Sequence, residues 1–231
     1  AVYPKITDRG RTGKKRNMTG EKIPWCWWMA AEGDDEDQPD GQIARLAVEY
    51  LEREHDRPFF LAVGFHKPHD PFIAPKKYFD LYPLESLAVH RDPKDLSPTP
   101  VVQIGGHWKR CFDAFTDRER REFLRCYYAC TTFMDAQLGK VIAALDNSPY
   151  ADNTIVVLWS DHGYHLGEKG HWAKHVMWER GSQVPFVWAG PGIAEGVSTD
   201  TTASLIDMYP TFVDLCDLTK DGANADLQPL D

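Results

Sequence analysis

The chain has 231 residues, 42% of them hydrophobic and 12% aromatic, enough to bury one sizeable core or two small ones and too apolar for a disordered chain. A formal net charge of -9 excludes a general nucleic-acid binder, because an acidic body repels phosphate backbones. No apolar run approaches the roughly 18 residues of a membrane span, and the first residues carry no signal-peptide core.

Residues 1–40 are rich in Gly, Pro, Trp and charge, show no clear period, and read as a long irregular segment. Within them "RGRTGKKR", Arg9 to Arg16, is a short basic patch that reads as a solvated loop rather than a polyanion contact. Asn17-Met18-Thr19 has the spacing of a glycosylation acceptor. "EGDDEDQPDG" mimics a calcium loop, but Pro39 falls where a ligand should stand, so it reads as a surface loop with Asp40 as helix N-cap. Ile43, Leu46, Ala47, Tyr50 and Leu51 then keep helical spacing to about His55.

"PFFLAVGF", Pro58 to Phe65, is a continuous apolar run of the kind found in a strand buried on both faces. A Pro-rich loop follows to Pro100, with a short helix near Lys76 to Tyr82. Thr116 and Glu119 form a capping box that opens a long amphipathic helix running to Leu145. "NTIVVLWS" is a second buried strand and "VPFVWAG", Val184 to Gly190, a third. "DMYPTFVDLCDL" is a helix with Pro210 in its first turn. Strands alternating with helices predict an α/β layered fold with a mostly parallel sheet. Five cysteines without a CxxC pair predict mostly buried free thiols rather than a zinc ribbon or redox motif.

In open α/β sheets, ligands bind beyond the carboxyl ends of the strands. Asp161 and His162 stand at one such end, and a carboxylate with an imidazole is a serviceable donor pair for a divalent cation. "HKPHDP", His66 to Pro71, stands at another, with two prolines restricting the directions of Lys67 and His69, groups suited to contacting an anion or protonating a leaving group. Lys174, in "GHWAKH", offers a point charge for an anionic group. Metal ligands, cationic donors and histidines at strand ends describe a site for a charged ester of sulfate or phosphate.

"PFFLAVGFHKPHDPFIAPKKYFDLYP", "NTIVVLWSDHGYHLGEKGHWAKH" and "SLIDMYPTFVDL" closely resemble the type I, formylglycine-dependent sulfatases of the alkaline phosphatase superfamily, and within them the iduronate-2-sulfatase-like branch. The resemblance spans roughly residues 40 to 218. It implies an alkaline-phosphatase-like layered fold and a Ca2+-dependent sulfuric ester hydrolase acting on a sulfated carbohydrate. Asp161 and His162 match the late pair of the metal site, and a histidine in the second position is a mark of the iduronate-type branch. Lys174 matches the lysine that bridges sulfate and nucleophile. His69 matches the histidine at the sulfate or leaving-group oxygen. His66, Lys67, His165 and His171 are candidate substrate-binding residues by proximity alone. By resemblance the protein is secreted, periplasmic or lysosomal.

The match has a gap. Family members carry a Cys-x-Pro-x-Arg signature whose cysteine, or serine, becomes formylglycine, and paired aspartates that complete the metal site. No cysteine or serine of this sequence stands in that pattern. The resemblance therefore implies a C-terminal portion: an irregular segment over residues 1–40, a family-like core over 41–218 and a tail over 219–231. The nucleophile would come from a second chain or from further residues of a longer polypeptide. An inactive relative that binds sulfated glycans, or a phosphodiesterase or phosphonate hydrolase on the same scaffold, are the competing functions. Trp25, Trp27, Trp28 and Trp108 either stack on sugar rings or bury apolar area.

Overall fold

The computed structural model describes residues 4–18, 23–92 and 106–218, with side chains of the last stretch from Arg110 onward. The chain divides into two compact units, Ala1–Ala151 with Tyr164–Ser182, and Asp152–Gly163 with Gln183–Asp231.

The larger unit opens with β1 (Gly13–Asn17) and β2 (Trp27–Ala31), paired antiparallel inside the stretch that reads as irregular. Their sequences, GKKRN and WWMAA, lack a two-residue alternation because β1 is an edge strand with a polar outer side. After α1 (Pro39–Leu51) comes β3 (Phe72–Pro75), which adds to β2 in parallel. Next are α2 (Lys76–Asp80), α3 (Gly106–Asp113) and α4 (Asp117–Asp146).

The 30 residues of α4 span about 45 Å at 1.5 Å per residue. Its start is set by Thr116, whose hydroxyl accepts from the Glu119 amide while the Glu119 carboxylate accepts from the Thr116 amide, the capping box the sequence predicts. The buried stripe of α4, including Phe123, Cys126, Cys130 and Phe133, meets Phe72, Phe79 and Trp28 in one aromatic-rich core. Phe72 and Phe123 pack edge to face at 5.1 Å between ring centroids, and Trp28 stacks on Phe79 at 5.4 Å.

Trp28 is therefore a core residue, and Trp25 packs against the same core with its ring edge toward Phe112. Trp27 lies under the Lys15 ammonium at 4.1 Å. The side chain of Trp108 lies outside the described residues. The basic patch is also partly structural, since Arg16 reaches the buried Glu122 at 2.8 Å and Arg9 lies 3.7 Å from Asp37. All five cysteines are free thiols, with Cys26, Cys126 and Cys130 buried. Burial raises all three thiols, Cys130 to about 12, so each is a packing group and not a thiolate nucleophile.

Pro58–Phe65 departs from the expected buried strand. It forms no regular element and pairs with no strand among the described residues, and its exposure alternates along its length. Phe59 turns inward against Tyr50, His55 and Tyr150, while Phe60 is 79% exposed. Burial on both faces needs neighbours that only tertiary pairing supplies.

The hairpin β5 (His165–Leu166) and β6 (Trp172–Ala173) completes the larger unit together with α5 (Glu179–Ser182). In the smaller unit, β4 (Val156–Trp159) pairs antiparallel with β7 (Phe186–Ala189), and α6 (Met208–Leu215) packs Phe212 on Trp188 at 5.1 Å. Both strands fall where the sequence places them, but Leu158, Trp159 and Val187 are exposed rather than buried. Pro210 sits in the first turn of α6, as expected. No helix among the described residues is long and apolar enough to cross a membrane.

Candidate functional site

Asp40 comes first, because the structure gives it a different job from the helix cap. Pro39 occupies the first helical position, so Gln38 is the N-cap and Asp40 falls inside the first turn. Only 1% exposed, Asp40 accepts the His66 amide at 3.0 Å and the Lys67 amide at 2.9 Å, one on each carboxylate oxygen. The loop "HKPHDP" is thus tied to α1 at its first two residues. Lys67 ties it again, donating its ammonium to the carbonyls of His69 at 2.9 Å and Pro71 at 2.7 Å. Burial pulls the Lys67 ammonium below the ordinary lysine value. In this position Lys67 is a staple of the loop, with two of its three ammonium donors on backbone carbonyls.

His66 and His69 face each other across the loop, ring centroids 4.9 Å apart. His69 Nδ1 lies 2.6 Å from the Asp70 carbonyl, which can only accept, so Nδ1 carries a hydrogen and Nε2 is left for other chemistry. The Asp70 carboxylate also lies 3.4 Å from the same Nδ1.

Lys174 follows the β5–β6 hairpin. The hairpin turn runs through Gly167, at φ 116, and Gly170, at φ 64, both left-handed positions that glycine enters at little cost. Trp172, 2% exposed, anchors the hairpin against Phe123 at 5.1 Å. Beyond it, Ala173 and His175 hold φ 84 and 71, left-handed values on either side of Lys174. Such residues cost about 1–3 kcal/mol each and gather at functional sites. The Lys174 carbonyl is met by His171 Nε2 at 3.2 Å.

His171 and His165 are core residues of this hairpin, 3% and 1% exposed, with rings 5.1 Å apart and both against Trp178. Their packing positions Lys174 from behind. Burial holds the His165 imidazole below the ordinary histidine value, so it is neutral in the fold. The sign follows from linkage: the unfolded chain takes up that proton first, so stability present above about pH 6.5 is lost on acidification. We expect Tm to fall between pH 7.5 and 5, with a shallower fall in His165→Gln. Identical slopes in the two proteins would show that this histidine is not buried neutral.

In the smaller unit, Asp161 and His162 follow β4 directly. His162 Nδ1 lies 2.8 Å from the Gly163 carbonyl, which places the hydrogen on Nδ1 and the lone pair on Nε2. That Nε2 is 3.9 Å from Asp161 Oδ2, a gap that one divalent cation, at about 2.0–2.6 Å from each donor, spans. The Asp161 side chain is 77% exposed, so metal entry faces no burial barrier. Among the described residues no three His, Cys, Asp or Glu converge on a common metal position, so the pair fits as part of a ligand set. His69 and Lys174 thus belong to the larger unit, Asp161 and His162 to the smaller one.

Sequence reading missed Asp40 as a member of this arrangement. The signal was present in Gln38-Pro39, since a proline at the first helical position moves the cap one residue earlier.

Comparison with known proteins places these loops in context. The chain is 40% identical over 201 residues to a sulfatase of Formosa agariphila, covering 83% of this chain and 39% of that protein. It is 33% identical over 177 residues to human iduronate 2-sulfatase, covering 67% of this chain and 31% of that enzyme. It therefore spans less than half the length of either relative. A solved structure of a phosphonate monoester hydrolase from Silicibacter pomeroyi superposes with a TM-score of 0.71 at 22% identity, over 87% of this chain and 42% of that one, a likeness of fold. The fold is the alkaline-phosphatase-like α/β architecture. The family model described as Sulfatase matches residues 5–218. Matched over nearly its whole length by that model, the chain belongs to the sulfatase family.

Proposed function

We propose that this chain supplies the leaving-group and metal-binding side of a sulfuric ester hydrolase that cleaves sulfate from a sulfated carbohydrate, with the nucleophile and the remaining metal ligands supplied by residues outside these 231. The observation that carries the reading is the build of the Lys174 segment: a lysine held between two left-handed residues, behind a hairpin anchored by Trp172. Ordinary surface lysines need no such backbone.

Asp161 and His162 would hold a calcium ion, whose charge would stabilise the sulfate oxygens as negative charge builds on them. The Lys174 ammonium does the same as a compact point charge. His69, with Nδ1 fixed on the Asp70 carbonyl, delivers a proton from Nε2 to the departing sugar oxygen. The substrate class follows from the human relative's name, iduronate 2-sulfatase, and the compartments proposed are lysosomal, secreted or periplasmic.

The decisive comparison is between these 231 residues alone and the same residues joined or mixed with the segment that carries a formylglycine. Alone, we expect poor solubility, because Phe60, Trp159 and Val187 lie exposed, and no turnover of aryl sulfates. Joined, we expect turnover and one calcium per site. Turnover by the 231 residues alone would sink the reading.

A second reading, a phosphoester or phosphonate hydrolase, is favoured by one feature: the donor pair includes an imidazole nitrogen, which suits zinc or manganese better than calcium. Two transition-metal ions per site with preference for phosphonate esters would establish it instead.

A further inference from the structure

We propose that Asp40 is a positioning residue: its buried carboxylate sets the backbone of the loop that presents His69, and so governs proton delivery to the leaving group. This rests on the role proposed for His69 above.

Asp40 belongs to an acidic stretch whose carboxylates turn to separate partners. Asp35 accepts from the Tyr78 hydroxyl at 3.0 Å, from Gln137 at 3.2 Å and from the Lys140 ammonium at 2.8 Å, with Lys77 at 2.7 Å. Asp37 accepts from the Thr7 hydroxyl. Asp35 and Asp37 tie helices and the N-terminal segment together, whereas the Asp40 carboxylate accepts two amides of the histidine loop. Both are backbone amides of consecutive residues, so the carboxylate fixes the plane of the chain where it enters the loop toward His69. The loop is then closed by the His69 amide, which donates to the His66 carbonyl at 3.0 Å, and by the Lys67 ammonium. Between the clamp and His69 stands only Pro68, so a shift at His66 and Lys67 passes to the imidazole with little slack.

An asparagine at position 40 can accept one of the two amides but turns an N–H donor toward the other. The expected consequence is a displaced loop in a folded protein, and misplacement of about 1 Å is worth on the order of 10²-fold in rate. A displaced proton donor hurts most where the leaving group is a poor one. Asp40→Asn in the full enzyme should therefore lower kcat on a sugar sulfate about 10–100-fold while an aryl sulfate with a good leaving group loses far less. Lys67→Met, which removes the second staple, should show the same leaving-group dependence. Asp35→Asn, which breaks a structural cluster in the short helical turn just before α1, should lower Tm and leave kcat unchanged.

Hydrogen exchange of the segment 64–71 provides a readout independent of turnover, with faster exchange expected in Asp40→Asn. Equal losses on both substrates, losses matched by Asp35→Asn, or unaltered exchange of the segment would overturn the proposal. A parent enzyme that hydrolyses neither sulfate ester defeats the proposed function instead, and exchange then decides alone whether Asp40 holds the loop.

Discussion

Lys174→Ala, made in the assembled enzyme, should lower kcat/KM for a sulfate ester by about 10²–10³-fold, the loss seen when one preorganised transition-state partner is removed. The backbone around it is already committed: Ala173 and His175 hold left-handed values, and His171 meets the Lys174 carbonyl. Both are features of the backbone, which the substitution leaves in place. Lys174→Arg should restore part of the rate only, because a planar guanidinium cannot occupy the place of a compact ammonium. Steady-state kinetics and thermal melts on the three proteins provide the measurement. A loss below tenfold for the alanine variant would remove Lys174 from the anion site and leave its strained backbone without a function.

Asp161→Asn should cost about 10³-fold in turnover together with the bound cation, since it removes the formal charge from the donor pair while keeping its size. The carboxylate is largely exposed and His162 Nε2 is its neighbour at 3.9 Å, so the substitution disturbs no buried contact. Elemental analysis of the purified proteins should show about one calcium in the parent and a deficit in the variant. Prolonged chelation of the parent should produce the same inactivity, and added calcium should reverse it. A variant that keeps both metal and turnover would exclude this pair as ligands.

Much of the local structure was legible from short-range signals. Thr116 and Glu119 announced the start of α4, and Pro210 the first turn of α6, because a cap or a fixed φ acts within one helical turn. The apolar runs at 156–159 and 186–189 became strands as their β-branched and aromatic content required. β1 and β2 were not legible, since five-residue strands of Lys, Arg, Trp and Ala carry neither alternation nor a strong propensity. Pro58–Phe65 showed the opposite error: strong strand chemistry without a paired neighbour among the described residues.

By itself the sequence determined which chemistry is available: a carboxylate and imidazole after one strand, a proline-bounded histidine loop, and a lysine beyond a glycine turn. Only the tertiary structure decided which partners each of these groups takes. Lys67 donates to two backbone carbonyls of its own loop, and His165 and His171 are buried against Trp178. Asp35 and Asp40, alike to each other, went to a lysine 105 residues away and to amides 26 and 27 residues away. The physical reason is burial: a polar group withdrawn from water must take whatever partner the fold brings to it, and that partner is set by packing over distances along the chain that local patterns do not encode.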